Sequence, residues 1–235
     1  MREALEIFNN YYEKFDSSLS GVSYKYKHTM RVVDFCEQIA KSLNLSNEDI
    51  ELAKVCGLYH DIARFKQWQE FNTFEDKISF DHGDEGYNIL KELGINDEII
   101  LASTKWHNKY AVEDVDNRTL LFCNITRDAD KIDILLDQDR ECNDEVYDVP
   151  RDVIESLKNK QLTRNKNARE VSRTTSILRC IGFIFDINFK KSFEIIKESN
   201  VVNKKFDVIL EKFDEEEIKE IREICNKYID ERVSD

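Results

Sequence analysis

The residues predict an all-α fold of a single domain, and three observations carry that expectation. The 235-residue chain has one proline, Pro150, and six glycines, too few backbone breakers for the many turns of a β protein. Apolar residues recur at the three-and-four spacing of helices that bury one face. Capping residues stand just ahead of several of those stripes.

Leu5, Phe8, Tyr11, Tyr12 and Phe15 follow helical spacing, so a short amphipathic helix is expected over 1–15. Ser17 to Ser23, with Gly21, reads as a loop. A second helix is expected from about Tyr24 to Leu43, with Val32, Phe35, Cys36, Ile39, Ala40 and Leu43 on its core stripe. His28 lies four residues before Val32 and points inward with it. Ser46-Asn47-Glu48-Asp49 has the form of a capping box and starts a third helix that ends at His60-Asp61.

Residues 64–80 mix Phe65, Trp68, Phe71, Phe74 and Phe80 with polar residues in no clean period, which reads as a loop with short helical turns. Asp81-His82-Gly83-Asp84 opens another helix that stops at Gly94. Asn96-Asp97 caps the next, which reaches Trp106-His107, and a buried helix follows over 117–136. An acidic connector runs from Asp137 to Glu145, and Pro150 opens a helix at Arg151. Residues 161–179 hold a basic patch: Arg164, Lys166, Arg169, Arg173 and Arg179. Charge pairing with the acidic connector explains it better than phosphate binding. The apolar run Ile181 to Phe189 reads as a buried helix, and a last helix spans about Asp214 to Arg232. The expected organisation is a core over 24–135 with a helical extension, 139–235, packed on it.

Apolar residues make up 41% of the chain and charged ones 35%, with 14 Phe and 9 Tyr, a folded composition long enough for a substantial core. The formal net charge of −13 repels phosphate backbones and argues against nucleic-acid polymers as partners. A small phosphorylated substrate stays open, because a bound dication inverts the local field. Six widely spaced cysteines read as buried thiols rather than disulfides or a thiolate zinc site. The N-terminus has no apolar signal core and no run is long enough to span a bilayer, so a cytoplasmic protein without a membrane partner is expected. No Gly-x-Gly-x-x-Gly, P-loop or Gly-x-Ser-x-Gly occurs, which leaves dinucleotide, NTP and serine-hydrolase chemistry without their motifs.

All four histidines, His28, His60, His82 and His107, lie in one half of the chain, and that half closes with Asp128-Ala129-Asp130-Lys131-Ile132-Asp133. Any one of them alone is better explained by a satisfied hydrogen bond. Together, imidazole nitrogen and carboxylate oxygen suit a divalent cation such as Mn²⁺, Fe²⁺, Ni²⁺, Co²⁺, Zn²⁺ or Mg²⁺.

The order His28, His60-Asp61, His82, His107, Asp130 resembles the HD superfamily of metal-dependent phosphohydrolases, over roughly residues 24–135. Tyr59-His60-Asp61-Ile62-Ala63-Arg64-Phe65 and Asp128-Ala129-Asp130-Lys131-Ile132-Asp133 carry the local likeness. The resemblance implies an all-helical fold, with His28, His60, Asp61 and Asp130 as ligands of a first metal. In binuclear members Asp61 bridges, and histidines placed like His82 and His107 hold a second ion. Asp128 and Asp133 remain rivals of Asp130. The implied reaction is attack of metal-activated water on phosphorus, with Asp61 central and Arg64 or Lys131 offsetting phosphate charge. Lys105, Asn108, Asp84 and Glu85 are weaker candidates near the same histidines. The substrate class is a small phosphate ester or a nucleotide. Two readings from other classes stand beside it: a di-iron oxygenase on the same scaffold, and a non-catalytic nucleotide sensor.

Overall fold

The computed structural model describes residues 1–137, 141–163 and 171–234. Among these residues the regular elements are helices and no strand occurs. The chain divides into two compact units, Met1–Asp130 and Lys131–Asp235.

The first unit holds α1 (Arg2–Tyr12), α2 (Ser20–Ser42), α3 (Asn47–Tyr59), α4 (Ala63–Phe71), α5 (His82–Glu92) and α6 (Glu98–Trp106). The division falls inside α7 (Asn117–Leu136). α2 packs along α3 and α4, α3 also meets α6, and α5 lies against both α4 and α6. Phe8, Val32, Cys36, Leu58, Ile62 and Phe65 are wholly buried between these helices. The phenol of Tyr59 donates to the carbonyl of Ala4 at 3.0 Å and ties α1 to the end of α3.

The caps follow from the residues that precede each stripe. Ser46 Oγ accepts from the Asp49 amide at 3.1 Å. Asp81 accepts from the amides of Gly83 and Asp84, both at 3.0 Å, and Asp97 accepts from those of Ile99 and Ile100. Each such cap stabilises its helix by about 1 kcal/mol.

Two expectations fail in this unit. α2 begins at Ser20, so Gly21 to Ser23 are helical rather than a loop. A Cβ on Gly21 would stand 2.1 Å from the Trp68 ring; this glycine is a contact surface inside a helix, not a turn. Residues 64–71 belong to a regular helix, α4. Its period is masked because the polar Gln67 occupies the inward face. That side chain is fully buried, and its amide donates to Asp76 Oδ1, Ser79 Oγ and the Phe80 carbonyl.

The second unit holds α8 (Arg151–Lys158), α9 (Arg173–Ile181), a 3-10 turn (Gly182–Asp186), α10 (Lys190–Ser199), α11 (Val201–Leu210) and α12 (Glu216–Ser234). Its core includes Leu157, Leu178, Ile184, Phe193, Phe206 and Ile221. Asn200 joins α10 to α11 with φ 55°, a left-handed conformation that asparagine tolerates better than most residues. The helix expected over 181–189 is not formed: α9 ends at Ile181 and, after the 3-10 turn, Ile187 is extended. An apolar run has no period of its own, so it reveals burial but not helicity. Residues 138–140 of the acidic connector lie outside the described residues, as do Arg164, Lys166 and Arg169 of the basic patch; Arg173 and Arg179 are on α9. Among the described residues no helix is long and apolar enough to cross a membrane.

Candidate metal centre

The centre is built from three helix termini and the interiors of two helices. His28 stands inside α2, His60 directly follows α3, His82 is the first residue of α5, His107 directly follows α6, and Asp130 belongs to α7. Gly83 lets α5 and α6 close upon each other: a Cβ there would lie 2.6 Å from Asn108 Oδ1 and 2.7 Å from the Lys105 carbonyl. Arg127 Nη1 donates to the Trp106 carbonyl at 2.9 Å and also to that of Lys109. It thereby satisfies carbonyls on both sides of His107.

Two groups of donor atoms result, each with its atoms within 4.8 Å of one another: His28, His60, Asp61 and Asp130; and Asp61, His82 and His107. In the first, the Nε2 atoms of His28 and His60 are 3.2 Å apart, and Asp130 Oδ1 lies 3.2 Å and 3.6 Å from them. Asp61 Oδ2 lies 3.4 Å and 3.5 Å from the same two nitrogens. In the second, the Nε2 atoms of His82 and His107 are 3.0 Å apart. The other oxygen of Asp61, Oδ1, lies 3.6 Å and 3.3 Å from them. One carboxylate thus presents a different oxygen to each histidine pair.

The ring orientations have identifiable causes. His60 Nδ1 donates to the Gly57 carbonyl and His107 Nδ1 to the Thr104 carbonyl, both at 2.7 Å. His82 Nδ1 donates to Asp76 Oδ2 at 2.6 Å. A carbonyl or carboxylate only accepts, so the Nδ1 proton is assigned, and in the neutral ring the lone pair stays on Nε2. Burial pushes the His82 imidazole down to about 4, against the pull of Asp76, and burial lowers His107 as well. Burial would also lower His60, but Asp61 and Asp130 outweigh it and raise that ring. Burial opposes charge on Asp61, yet Lys25 and the surrounding imidazoles hold its carboxyl well below the usual range. Asp130 is held low in the same way, by His28 and His60.

These donors fit a cation. His82 and His107 are neutral rings whose lone pairs face each other at 3.0 Å, an arrangement that repels unless something positive lies between them. Two nitrogens each ~2.1 Å from one divalent ion come ~3.0 Å apart when they subtend a near right angle. Nitrogen and oxygen donors without thiolate suit borderline and hard divalent ions.

The other candidates from the sequence fall as follows. Asp128 is buried in the first unit but outside both donor groups, and Asp133 belongs to the second unit. Arg64 Nη1 donates to Gln67 Oε1, the Phe74 carbonyl and Asp76 Oδ1, while its Nε lies 3.4 Å from Asp61 Oδ1. Lys131 belongs to the second unit, where its ammonium lies 3.0 Å from Asp186. Asp84 and Glu85 pair with Lys109 and Lys66. The Lys105 ammonium lies over the Tyr87 and Trp106 rings, and Asn108 donates to Asp81.

Two residues at the centre escaped sequence reasoning. Lys25 precedes His28 by one helical turn, and its buried ammonium donates to Asp61 Oδ2 at 2.6 Å. The i, i+3 spacing from His28 was its only signal. Asp76 sits in the segment between α4 and α5, where no periodicity could point it at His82.

The family model of the HD domain matches residues 26–135, slightly under half of the chain and a span that contains all six donor residues. No curated protein and no solved structure matches the chain.

Proposed function

We propose that this chain, which carries an HD domain over residues 26–135, is a metal-dependent phosphohydrolase acting on a small phosphate ester or a nucleotide. The observation that carries the reading is the division of Asp61, with Oδ2 toward His28 and His60 and Oδ1 toward His82 and His107. Divalent cations bound at such groups bring water to near-neutral acidity and offset phosphate charge. His28, His60, Asp61 and Asp130 would hold one ion; Asp61, His82 and His107 would hold another.

The chain's own residues support the chemistry in three ways. The Nδ1 hydrogen bonds keep His60, His82 and His107 aimed, so little reorientation precedes binding. Asp61 supplies negative charge to both groups at once. Lys25 puts an ammonium at Asp61 Oδ2, where it can also meet a phosphate oxygen. In this reading Arg64 is a positioning residue, since Gln67, Phe74 and Asp76 already engage it. The ring of Tyr24, 37% exposed, lies parallel to His28 at 6.3 Å. A partly exposed aromatic ring next to the centre favours a nucleotide over a purely aliphatic phosphate ester.

The test is elemental analysis of the purified protein, followed by phosphate release from a nucleotide panel with Mn²⁺, Co²⁺, Ni²⁺ or Mg²⁺ added. One or two ions per chain and release that a chelator abolishes are expected. Iron with substrate-dependent oxygen uptake, and no phosphate release, would replace hydrolysis by oxygenation. Nucleotide-induced thermal stabilisation without turnover would make the protein a sensor.

A further inference from the structure

Asp76 holds His82 from behind, and His82 belongs to only one of the two donor groups. Its Oδ2 accepts from His82 Nδ1 at 2.6 Å, and its Oδ1 lies 2.8 Å from the same nitrogen. Neither of its oxygens is among the clustered donor atoms themselves. His60 and His107 rest instead on backbone carbonyls of their own preceding helices, Gly57 and Thr104. Those anchors come with the helix. The anchor of His82 comes from a separate segment, between α4 and α5, and must itself be held.

Two α4 side chains hold it. Arg64 Nη1 donates to Asp76 Oδ1 at 3.1 Å and to the Phe74 carbonyl at 2.7 Å. The Gln67 amide donates to Asp76 Oδ1 at 3.0 Å, to Ser79 Oγ at 2.7 Å and to the Phe80 carbonyl at 3.2 Å. Gln67 Oε1 accepts from Arg64 at 2.5 Å, so the two clamps brace each other. Asn108, next to His107, reaches Asp76 Oδ2 at 3.4 Å. α4 starts two residues after Asp61, and Arg64 Nε is 3.4 Å from Asp61 Oδ1, the oxygen facing His82 and His107.

We propose that Asp76, held by Arg64 and Gln67, is the positioning residue on which the second cation depends, while the first cation binds independently of it. The proposal rests on the two-cation reading above. A carboxylate behind a ligating imidazole fixes its tautomer and strengthens its lone pair, and its loss weakens metal binding about 10–100-fold. His28, His60 and Asp130 make no contact with Asp76 among those described, so the penalty falls on one group only. The two ions then fill unequally, and a one-ion form is reached by disturbing the segment between α4 and α5 without touching a ligand.

The experiment is calorimetric titration of the chelator-stripped full chain with Mn²⁺ alone, checked by elemental analysis after gel filtration, for wild type, Asp76→Ala and Asp76→Asn. Wild type binds two ions. Asp76→Ala keeps the tighter ion at wild-type affinity and weakens the other at least tenfold. Asp76→Asn falls between, because its amide oxygen still accepts the Nδ1 proton but carries no charge. Thermal unfolding of the stripped proteins serves as the control for folding. If Asp76→Ala binds both ions as wild type does, or loses both together, the proposal is overturned. Wild type that takes up no Mn²⁺ overturns the two-cation reading itself, and that result is visible before any variant is made.

Discussion

The ammonium of Lys25 lies 2.6 Å from Oδ2 of Asp61, and both side chains are nearly removed from solvent, at 10% and 2% exposure. A positive charge of the protein therefore already stands at the carboxylate that the two donor groups share. Removing one partner of a buried ion pair leaves the other uncompensated, which costs about 3 kcal/mol. Lys25→Met should destabilise the metal-free protein by roughly that amount, measured by urea unfolding in the presence of a chelator. Saturating Mn²⁺ should recover most of the loss, because a dication compensates the same oxygen. A variant as stable as wild type in chelator would remove Lys25 from this account.

Asp61 serves both groups, whereas each histidine serves one. Asp61→Ala is expected to bring the metal content close to zero and phosphate release down by at least a thousandfold, on the order of the loss seen when an essential catalytic group is removed. His28→Ala and His107→Ala should each spare part of the metal. Equal metal content in the Asp61 and His107 variants would contradict a shared carboxylate.

At Gly21 two effects of opposite sign compete. Gly21 is the second residue of α2, where alanine gains at most about 1 kcal/mol over glycine. Its Cβ, however, would stand 2.1 Å from the Trp68 ring, and overpacking of that kind costs about 1–3 kcal/mol. Because the obstacle is a ring rather than a flexible chain end, the upper part of that range applies. Gly21→Ala should lower stability by about 2 kcal/mol, with a fall in midpoint at unchanged denaturant slope. A stabilised variant would mean that α2 and α4 are not in contact there.

Thiol chemistry offers a check on packing. Cys36, Cys56, Cys123 and Cys225 are buried, while Cys142 and Cys180 are partly accessible. Burial pushes the thiols of Cys56 and Cys225 up to about 12 and that of Cys123 up to about 11. They stay protonated and shielded at pH 8, so an aromatic disulfide reagent should titrate no more than two thiols in the native protein and six in denaturant. Four or more fast-reacting thiols in the native state would contradict the cores described.

Much of the helical scaffold was legible because its signals are local. Ser46, Asp81 and Asp97 each precede an apolar stripe and cap it, and Pro150 opens α8. α4 was hidden by Gln67, a polar residue that is buried because Arg64, Asp76 and Ser79 satisfy its amide. The 3-10 turn after α9 was hidden by apolar residues on every side. Lys25 and Asp76 were passed over because a lysine and a loop aspartate are ordinarily solvated, and only their partners make them otherwise.

By itself the chain determined which residues can form helices, where those helices start, and the order in which imidazoles and carboxylates follow one another. These depend on spacing and on caps within a few residues. Tertiary structure alone decided that Asp61 turns one oxygen to each histidine pair, that Lys25 meets it, and that Asp76 reaches His82. Apart from the chain neighbours His60 and Asp61, these contacts join residues 6 to 46 positions apart. Their geometry depends on how closely helices approach, which a residue as small as Gly83 can set and no periodicity records.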